Sequence, residues 1–175
     1  MRIELVFIII LLIYKNSQYL IYNKESNEEK VFIIKLPIKN ELKNCCIIDT
    51  KREDEIQLEE IIRCSHGFIL VFSLNDNESF EKIKIYVEEI EKFNGIKSIP
   101  IILVGNKADL ENERQVKYDK ANEFANLIGA IYYEHNSLDN KNHNFKGVFQ
   151  KFVKKIIIKN NEDLQLYNQN YCNIL

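Results

Sequence analysis

One stretch constrains the fold more than any other, the twelve residues of Ile99–Leu110. Its first part is short, apolar and mostly β-branched, and a proline and a glycine bound it. Such a run is typical of a strand buried on both faces, as in a parallel sheet. In these sheets ligands bind beyond the carboxyl ends of the strands. The polar residues that follow, Asn106, Lys107 and Asp109, are therefore expected at a ligand-binding edge.

These three polar residues have the chemistry to recognise a guanine base. The Asp109 carboxylate can accept two parallel hydrogen bonds, from the N1–H and the exocyclic amine of guanine. Adenine presents an acceptor and no amine at those positions, so it would leave the carboxylate unpaired. The Asn106 amide can hold the other edge of the purine, and the Lys107 stem can lie over the base. The alternative is an ordinary polar turn, in which Asn, Lys and Asp are common.

Apolar patterning predicts further strands and helices around this stretch. A helix is predicted to begin within residues 75–78 and to end near Phe93, because Asn and Asp are favoured helix caps there. Gly129 is expected to end another helix. The other predicted elements are strands at residues 30–38, 44–49, 68–74 and 130–134, a polar turn at 39–43, and helices at 118–128 and 145–158.

Length and composition bound the class of protein. A chain of 175 residues with 46% apolar residues is expected to form one domain with a true core. The net charge of −2 argues against bulk electrostatic attraction to nucleic acid or acidic lipid. The four cysteines show no spaced disulfide framework, so reduced thiols are expected.

Several segments resemble the Ras superfamily of small GTPases, and the resemblance is good from about Asn44 to Ile158 and poor before that. They are Leu103–Leu110, like the base-recognition motif; Ile47–Thr50, like the start of the second switch; Gly67–Leu74 followed by Asn77–Phe80, like the fourth strand and its helix; and Cys172–Leu175, like the prenylated end of the Ras, Rap and Rheb branch. The resemblance implies an α/β fold: a P-loop NTPase-like G domain, with a mostly parallel sheet and helices on both faces. It would occupy residues 1–158, followed by a variable tail at 159–175.

The resemblance also implies ligands and partners. GTP or GDP would bind with magnesium, the base being held by Asn106, Lys107, Asp109, Ser137 and the backbone of Leu138. Asp49 would hold the magnesium through water. Prenylation of Cys172 would attach a monomeric protein to the cytoplasmic face of a membrane, where it would meet effectors, exchange factors and activating proteins in signal transduction.

The N-terminus departs from the family, whose first strand leads into a Gly-x-x-x-x-Gly-Lys-Ser/Thr loop that wraps phosphates. This chain has no glycine before Gly67, so that loop is missing. Leu11–Tyr22 resembles the far half of the family's first helix and the approach to the first switch, and counting back from Asp49 places the family's P-loop lysine near Ile8. The first strand would then precede Met1. Alternatively, Arg2–Ile10 replaces that strand and runs into the helix without a turn.

The run Leu5–Tyr14 is apolar throughout and has no turn residues. It is too short to span a membrane. Glu4 at its start and the lack of small residues after it do not fit a secretory signal. A core strand or a core helix is expected.

The second switch departs from the family as well. Thr50 is followed at once by Lys51, at the position of the family's catalytic glutamine, and a glycine that binds the terminal phosphate is lost. A lysine cannot accept a hydrogen bond from the attacking water. GTP hydrolysis is therefore expected to be very low or absent. The alternatives to an active switch are a prenylated pseudo-GTPase adaptor and a truncated form of an active GTPase.

Overall fold

The computed structural model describes residues 7–14, 30–38, 41–50, 59, 62–63, 65–94, 99–136 and 147–159. The elements in these residues are strands, which form a single sheet, and helices, which pack against it. They are β1 (Phe7–Tyr14), β2 (Lys30–Ile38), β3 (Glu41–Thr50), β4 (Gly67–Ser73), α1 (Asn77–Asn94), β5 (Ile101–Asn106), a 3-10 turn (Glu111–Glu113), α2 (Tyr118–Leu127), β6 (Ile131–His135) and α3 (residues 147–159).

The sheet has six strands in the order β2-β3-β1-β4-β5-β6. Strands β4, β5 and β6 pair in parallel, as the apolar runs that form them predict. Strand β1 is antiparallel to both β3 and β4, and β2 is antiparallel to β3. Four strands therefore point in one direction, and β1 and β2 point in the other. The α/β class is confirmed, and the sheet is mixed.

Strand β1 runs backwards relative to its two neighbours. Ile8 lies opposite Thr50 of β3 and Leu70 of β4, whereas Tyr14 lies opposite Asn44 at the other end of β3. The resemblance of Leu11–Tyr22 to the far half of the family's first helix does not hold for residues 11–14, which lie in this strand, and the expectation of a core strand within Leu5–Tyr14 fits residues 7–14. A continuous aliphatic run suits a central strand with a neighbour on each side, and here that preference overrides the alignment with a helix.

The polar turn expected at residues 39–43 is shorter than the sequence suggested. Ile38 of β2 pairs with Glu41 of β3, and the ladder continues through Leu36 and Lys43. Antiparallel neighbours favour tight connections, so the ladder extends into residues that composition alone marks as polar loop. Other boundaries are within a few residues of expectation. Helix α2 ends at Leu127, and Gly129 follows with φ +70°.

Helices cover both faces of the parallel half of the sheet. Alternate residues of β4 divide between two cores, with Phe68, Leu70 and Phe72 on one side and Ile69 on the other. The first core joins α1 and α2 to the sheet, through Phe80, Ile83, Ile90, Ala121 and Ala125. The second core joins α3 to the sheet, through Phe152, Val153 and Ile156 against Ile102 and Val104.

Helix α3 packs very closely on the start of β4. A Cβ atom added to Gly67 would lie 2.6 Å from Ile156 Cδ1 and 2.8 Å from Phe152 Cζ. A side chain at this position would therefore force Ile156 or Phe152 to move. Among the described residues, no helix combines the length and the apolar character needed to cross a bilayer.

Candidate functional site

The carboxyl ends of three neighbouring strands meet at one edge of the sheet. Ser73 of β4 lies opposite Asn106 of β5, and Asn106 lies opposite His135 of β6. Because these strands are parallel, the segments that follow them leave the sheet side by side. The sequence-predicted residues Lys107 and Asp109 follow β5 at this edge.

The turn after β5 is held on both sides by backbone hydrogen bonds. Leu74 N donates to Asn106 O at 2.9 Å, and Ala108 N donates to His135 O at 3.2 Å. The first bond ties the turn to the end of β4, and the second ties it to the end of β6. The turn is thereby fixed in position relative to the sheet edge.

The turn also has an internal geometry that local interactions maintain. Lys107 adopts φ +63°, in the left-handed region that side chains rarely enter. The Asn106 Oδ1 atom accepts a hydrogen bond from Lys107 N at 2.8 Å, and Leu110 N donates to Lys107 O at 3.1 Å. Strained backbone of this kind clusters at ligand sites. Asp109 is exposed at the turn, so its carboxylate is open to a ligand.

Close packing lies directly behind the turn. A Cβ atom added to Gly105 would lie 2.8 Å from Leu74 Cδ2 and 3.1 Å from Tyr132 Oη. A side chain immediately before Asn106 would therefore force Leu74 or Tyr132 to move. The sequence marked this glycine only as the boundary of an apolar run.

A charged cluster that sequence reasoning missed supports the same edge. Arg114 donates to both carboxylate oxygens of Glu134, from Nη1 to Oε1 at 2.9 Å and from Nη2 to Oε2 at 3.0 Å. Its Nε atom also donates to Glu111. These bonds raise the pKa of Arg114 above its ordinary value, Glu134 contributing most. No local signal predicts a pair separated by 20 residues.

Tyr132 joins this cluster from near the start of β6. Its hydroxyl donates to Glu134 Oε1 at 2.7 Å, and its ring lies 5.3 Å from that of Tyr118. Burial, and then the bond to Glu134, raise the pKa of the Tyr132 phenol above its ordinary value. The cluster links the segment before α2 to β6, next to the strand end where Ala108 is bound.

The remaining sequence-predicted residues fall in two groups. Asp49 is the second-last residue of β3, with Ile9 and Lys30 opposite it in the neighbouring strands. It is thus near the carboxyl end of its strand, on the same edge as Asn106. Ser137, Leu138 and Cys172 lie outside the described residues.

Strand β1 runs in the opposite direction to a strand that would lead into a phosphate-binding loop at this edge. A P-loop follows the carboxyl end of a strand and precedes a helix. Strand β1 begins at the Asn106 edge, with Phe7 opposite Val71, and it ends at the opposite edge. The carboxyl end of β1 therefore does not lie beside Asn106.

Comparison with known proteins gives the family. The model of the Ras family matches residues 9–158. Protein ras-1 of Neurospora crassa is 36% identical over 121 residues, which cover 68% of this chain and 56% of that protein. Ras-like protein rasW of Dictyostelium discoideum is 34% identical over 121 residues, which cover 68% of this chain and 54% of that protein. Ras-like protein rasZ of the same organism is 28% identical over 142 residues, which cover 80% of this chain and 65% of that protein.

The chain thus spans less than two thirds of the length of these relatives. The family model nevertheless covers most of the chain and includes the turn after β5. This protein belongs to the Ras family.

Proposed function

We propose that this chain is a Ras-like guanine-nucleotide-binding protein of membrane-associated signalling that binds GTP or GDP far more weakly than a complete family member. The observation that carries the proposal is the fixed turn at Asn106–Asp109, which exposes a carboxylate beside the end of a parallel strand. A carboxylate there matches the two donors of guanine and rejects adenine. Ser137 and Leu138 would complete the base pocket, as in the family.

The weak affinity for GTP and GDP follows from the few phosphate and magnesium contacts that accompany the base pocket. Most of the affinity for a nucleotide comes from charged hydrogen bonds to its phosphates and from the bound magnesium. The reversed direction of β1 supports the absence of a phosphate loop after that strand. Asp49 would offer a carboxylate to magnesium through water. Lys51 at the glutamine position leaves hydrolysis very low.

The second candidate function is that of an adaptor without hydrolysis, and the direction of β1 favours it over an active switch. A switch needs contacts that differ between GTP and GDP, and these contacts are made by the terminal phosphate. A domain that holds mainly the base would bind both nucleotides alike. It would present the same surface to effector and regulator proteins whether GTP or GDP is bound.

Residues 160–175, which follow α3 in the sequence, complete the proposal as a separate tail. Cys172 would receive a prenyl group, and Leu175 favours the geranylgeranyl type. The group would place a monomeric protein on the cytoplasmic face of a membrane. One lipid alone gives marginal anchoring, so a second contact would be needed.

A nucleotide titration of the full chain tests the base site. We expect GDP to shift amide resonances of residues 105–110 with a dissociation constant on the order of 1 mM, equivalent to about 4 kcal/mol of binding free energy. ADP at the same concentrations would cause no such shifts. Magnesium would change the dissociation constant by less than about twofold, because few phosphate contacts accompany the base. Tight, magnesium-dependent binding would contradict the weak phosphate site, and equal shifts with ADP would contradict guanine recognition.

A matched pair of variants sharpens this titration. Asp109→Asn replaces the proposed acceptor with an amide that presents a donor, and we expect GDP affinity to fall at least about tenfold. Asp119→Asn makes the same change of charge at another exposed carboxylate, in the first turn of α2, and should leave the affinity unchanged. Equal effects of the two variants would show that the response is not specific to the turn.

A further inference from the structure

The outer face of α1 carries exposed carboxylates around an exposed aliphatic side chain. Glu78, Glu88 and Glu91 are exposed, and Ile85 is 44% exposed. These four side chains are called here the acidic face. None of its three carboxylates takes part in the ion pairs among the described residues. The negative charge of the acidic face is therefore open to a partner.

Helix α3 presents a set of the opposite charge. Lys151, Lys154 and Lys155 are exposed, and Ile158 continues their row and is 48% exposed. Spacings of three and four residues place these four side chains, called here the basic face, on one side of the helix. The residues buried against the sheet lie on its other side. These lysines are likewise absent from the ion pairs among the described residues.

The spacing of charges on the two faces matches when the helices run antiparallel. With Ile158 of one copy opposite Ile85 of another, the two exposed aliphatic side chains meet. Lys155 and Glu88 then meet as well, since each lies three residues from its isoleucine. The other two lysines of the basic face, four and seven residues from the isoleucine, lie on either side of Glu91, which is six residues from its own. A rise of about 1.5 Å per residue keeps these offsets within about 3 Å, which lysine side chains can span.

We infer that the acidic face of one copy of this chain binds the basic face of a second copy, with the two helices antiparallel. A second copy is the partner because its charges and its aliphatic side chain fall at the matching positions. Helices α1 and α3 pack on opposite faces of the sheet, so one copy cannot pair its own two faces. The contact joins two different surfaces, and each copy presents its other face to a further copy, so that the assembly extends as a chain of copies.

The contact is weak. Exposed ion pairs contribute little stability and are screened by salt. One pair of helices also lies at the small end of interface sizes, where complexes are transient. We expect a dissociation constant on the order of 1 mM, so the protein is monomeric when dilute and associates where its local concentration is high.

Sedimentation equilibrium of the full chain tests the inference. At low salt, the weight-average mass should rise above that of the monomer as the protein concentration approaches about 1 mM, and it should return to the monomer mass at about 0.5 M salt. A monomer mass at every concentration and salt would overturn the inference.

Three lysine variants separate a defined contact from bulk charge, because all of them make the chain equally more acidic. Lys155→Glu reverses a charge on the basic face, and we expect association about threefold weaker or more. Lys92→Glu should strengthen association about twofold, since the exposed Lys92 is seven residues from Ile85 and falls opposite Lys151 in the antiparallel pair. Lys117→Glu, at an exposed position before α2, should leave association unchanged. Equal effects of the three variants would overturn the inference.

Uncharged substitutions test the aliphatic part of the contact. Ile85→Gln and Ile158→Gln should each weaken association about threefold or more, because less apolar surface is buried. Leu127→Gln is the matched control, since Leu127 lies in α2, on neither face, and is 76% exposed. Equal losses in all three variants would overturn the inference, because they would indicate apolar association without a defined face.

Glu88→Lys tests whether α1 is the surface that the basic face binds. It should weaken association about as much as Lys155→Glu does, since the two side chains meet in the antiparallel pair. Association that Glu88→Lys leaves unchanged would overturn the inference in favour of a contact that does not involve α1. Circular dichroism checks that each variant folds as the parent does.

Discussion

At the scale of single residues, the turn after β5 depends on two residues with different requirements, Gly105 and Lys107. Gly105 must lack a side chain because Leu74 and Tyr132 occupy the space where one would lie. Lys107 retains a long side chain although its backbone has φ +63°, which glycine would adopt more readily. The first requirement is one of packing. The second is one of backbone conformation, which the Asn106 side chain supports by accepting a hydrogen bond from Lys107 N.

The packing requirement predicts the effect of Gly105→Ala. The added methyl group would lie 2.8 Å from Leu74 Cδ2, so neighbouring atoms must shift, and we expect a loss of about 1–3 kcal/mol of unfolding free energy in urea. Gly147→Ala is the control, because nothing lies within 4 Å of its Cβ position. That variant should be neutral or up to about 1 kcal/mol more stable. A Gly105→Ala protein as stable as its parent would contradict the close packing.

At the scale of elements, the bidentate pair of Arg114 and Glu134 joins the segment before α2 to β6. The two side chains are 16% and 20% exposed, so solvent screens the pair less than it screens a surface ion pair. Both oxygens of Glu134 are used, and Tyr132 bonds one of them as well. The end of β6 is thereby held beside the turn after β5.

Glu134→Gln keeps the shape of this side chain and removes its charge. Two charge-assisted bonds would weaken, and we expect the free energy of unfolding to fall by about 1–2 kcal/mol. Glu59→Gln is the matched control, since Glu59 pairs with Arg63 four residues away and both side chains are well exposed. Its cost should stay below about 0.5 kcal/mol. Equal costs would show that the Arg114 pair acts as an ordinary surface contact.

At the scale of the whole molecule, one histidine couples global stability to pH. His66 precedes β4 and is half-buried, and burial lowers its pKa below the ordinary value of 6.5. The unfolded chain therefore takes up a proton on His66 more readily than the folded chain does. The stability that the neutral form supports is present above pH 6.5 and is lost as the pH falls through the folded-state pKa.

Urea unfolding between about pH 8 and pH 5 tests this coupling. The parent should lose stability as the pH falls below the ordinary histidine value, and His66→Gln should lose less over the same interval. Any effect of the substitution on packing appears at pH 8, where the histidine is neutral in both states, and can be subtracted. Identical pH profiles for the parent and the variant would exclude His66 as the source.

The sequence was informative where interactions are local. The apolar run before Gly105 predicted a parallel strand, and Asn106, Lys107 and Asp109 were expected at its carboxyl end, where they lie. The direction of β1 was not predictable, because it depends on the two strands between which the run fits. The pair of Arg114 and Glu134 was not predictable either, because the two side chains meet only when β6 lies beside β5.

The position of β1 also affects the order in which parts of the molecule unfold. Among the described strands, β1 alone connects the β2–β3 hairpin to β4, β5 and β6. Breaking the ladder between β1 and β3 would free the hairpin, while both helix-covered cores could remain on the parallel half. The molecule would then open as two cooperative units of unequal stability. Amide protons of the hairpin would exchange with solvent through small openings, and those of β4 and β5 only through global unfolding.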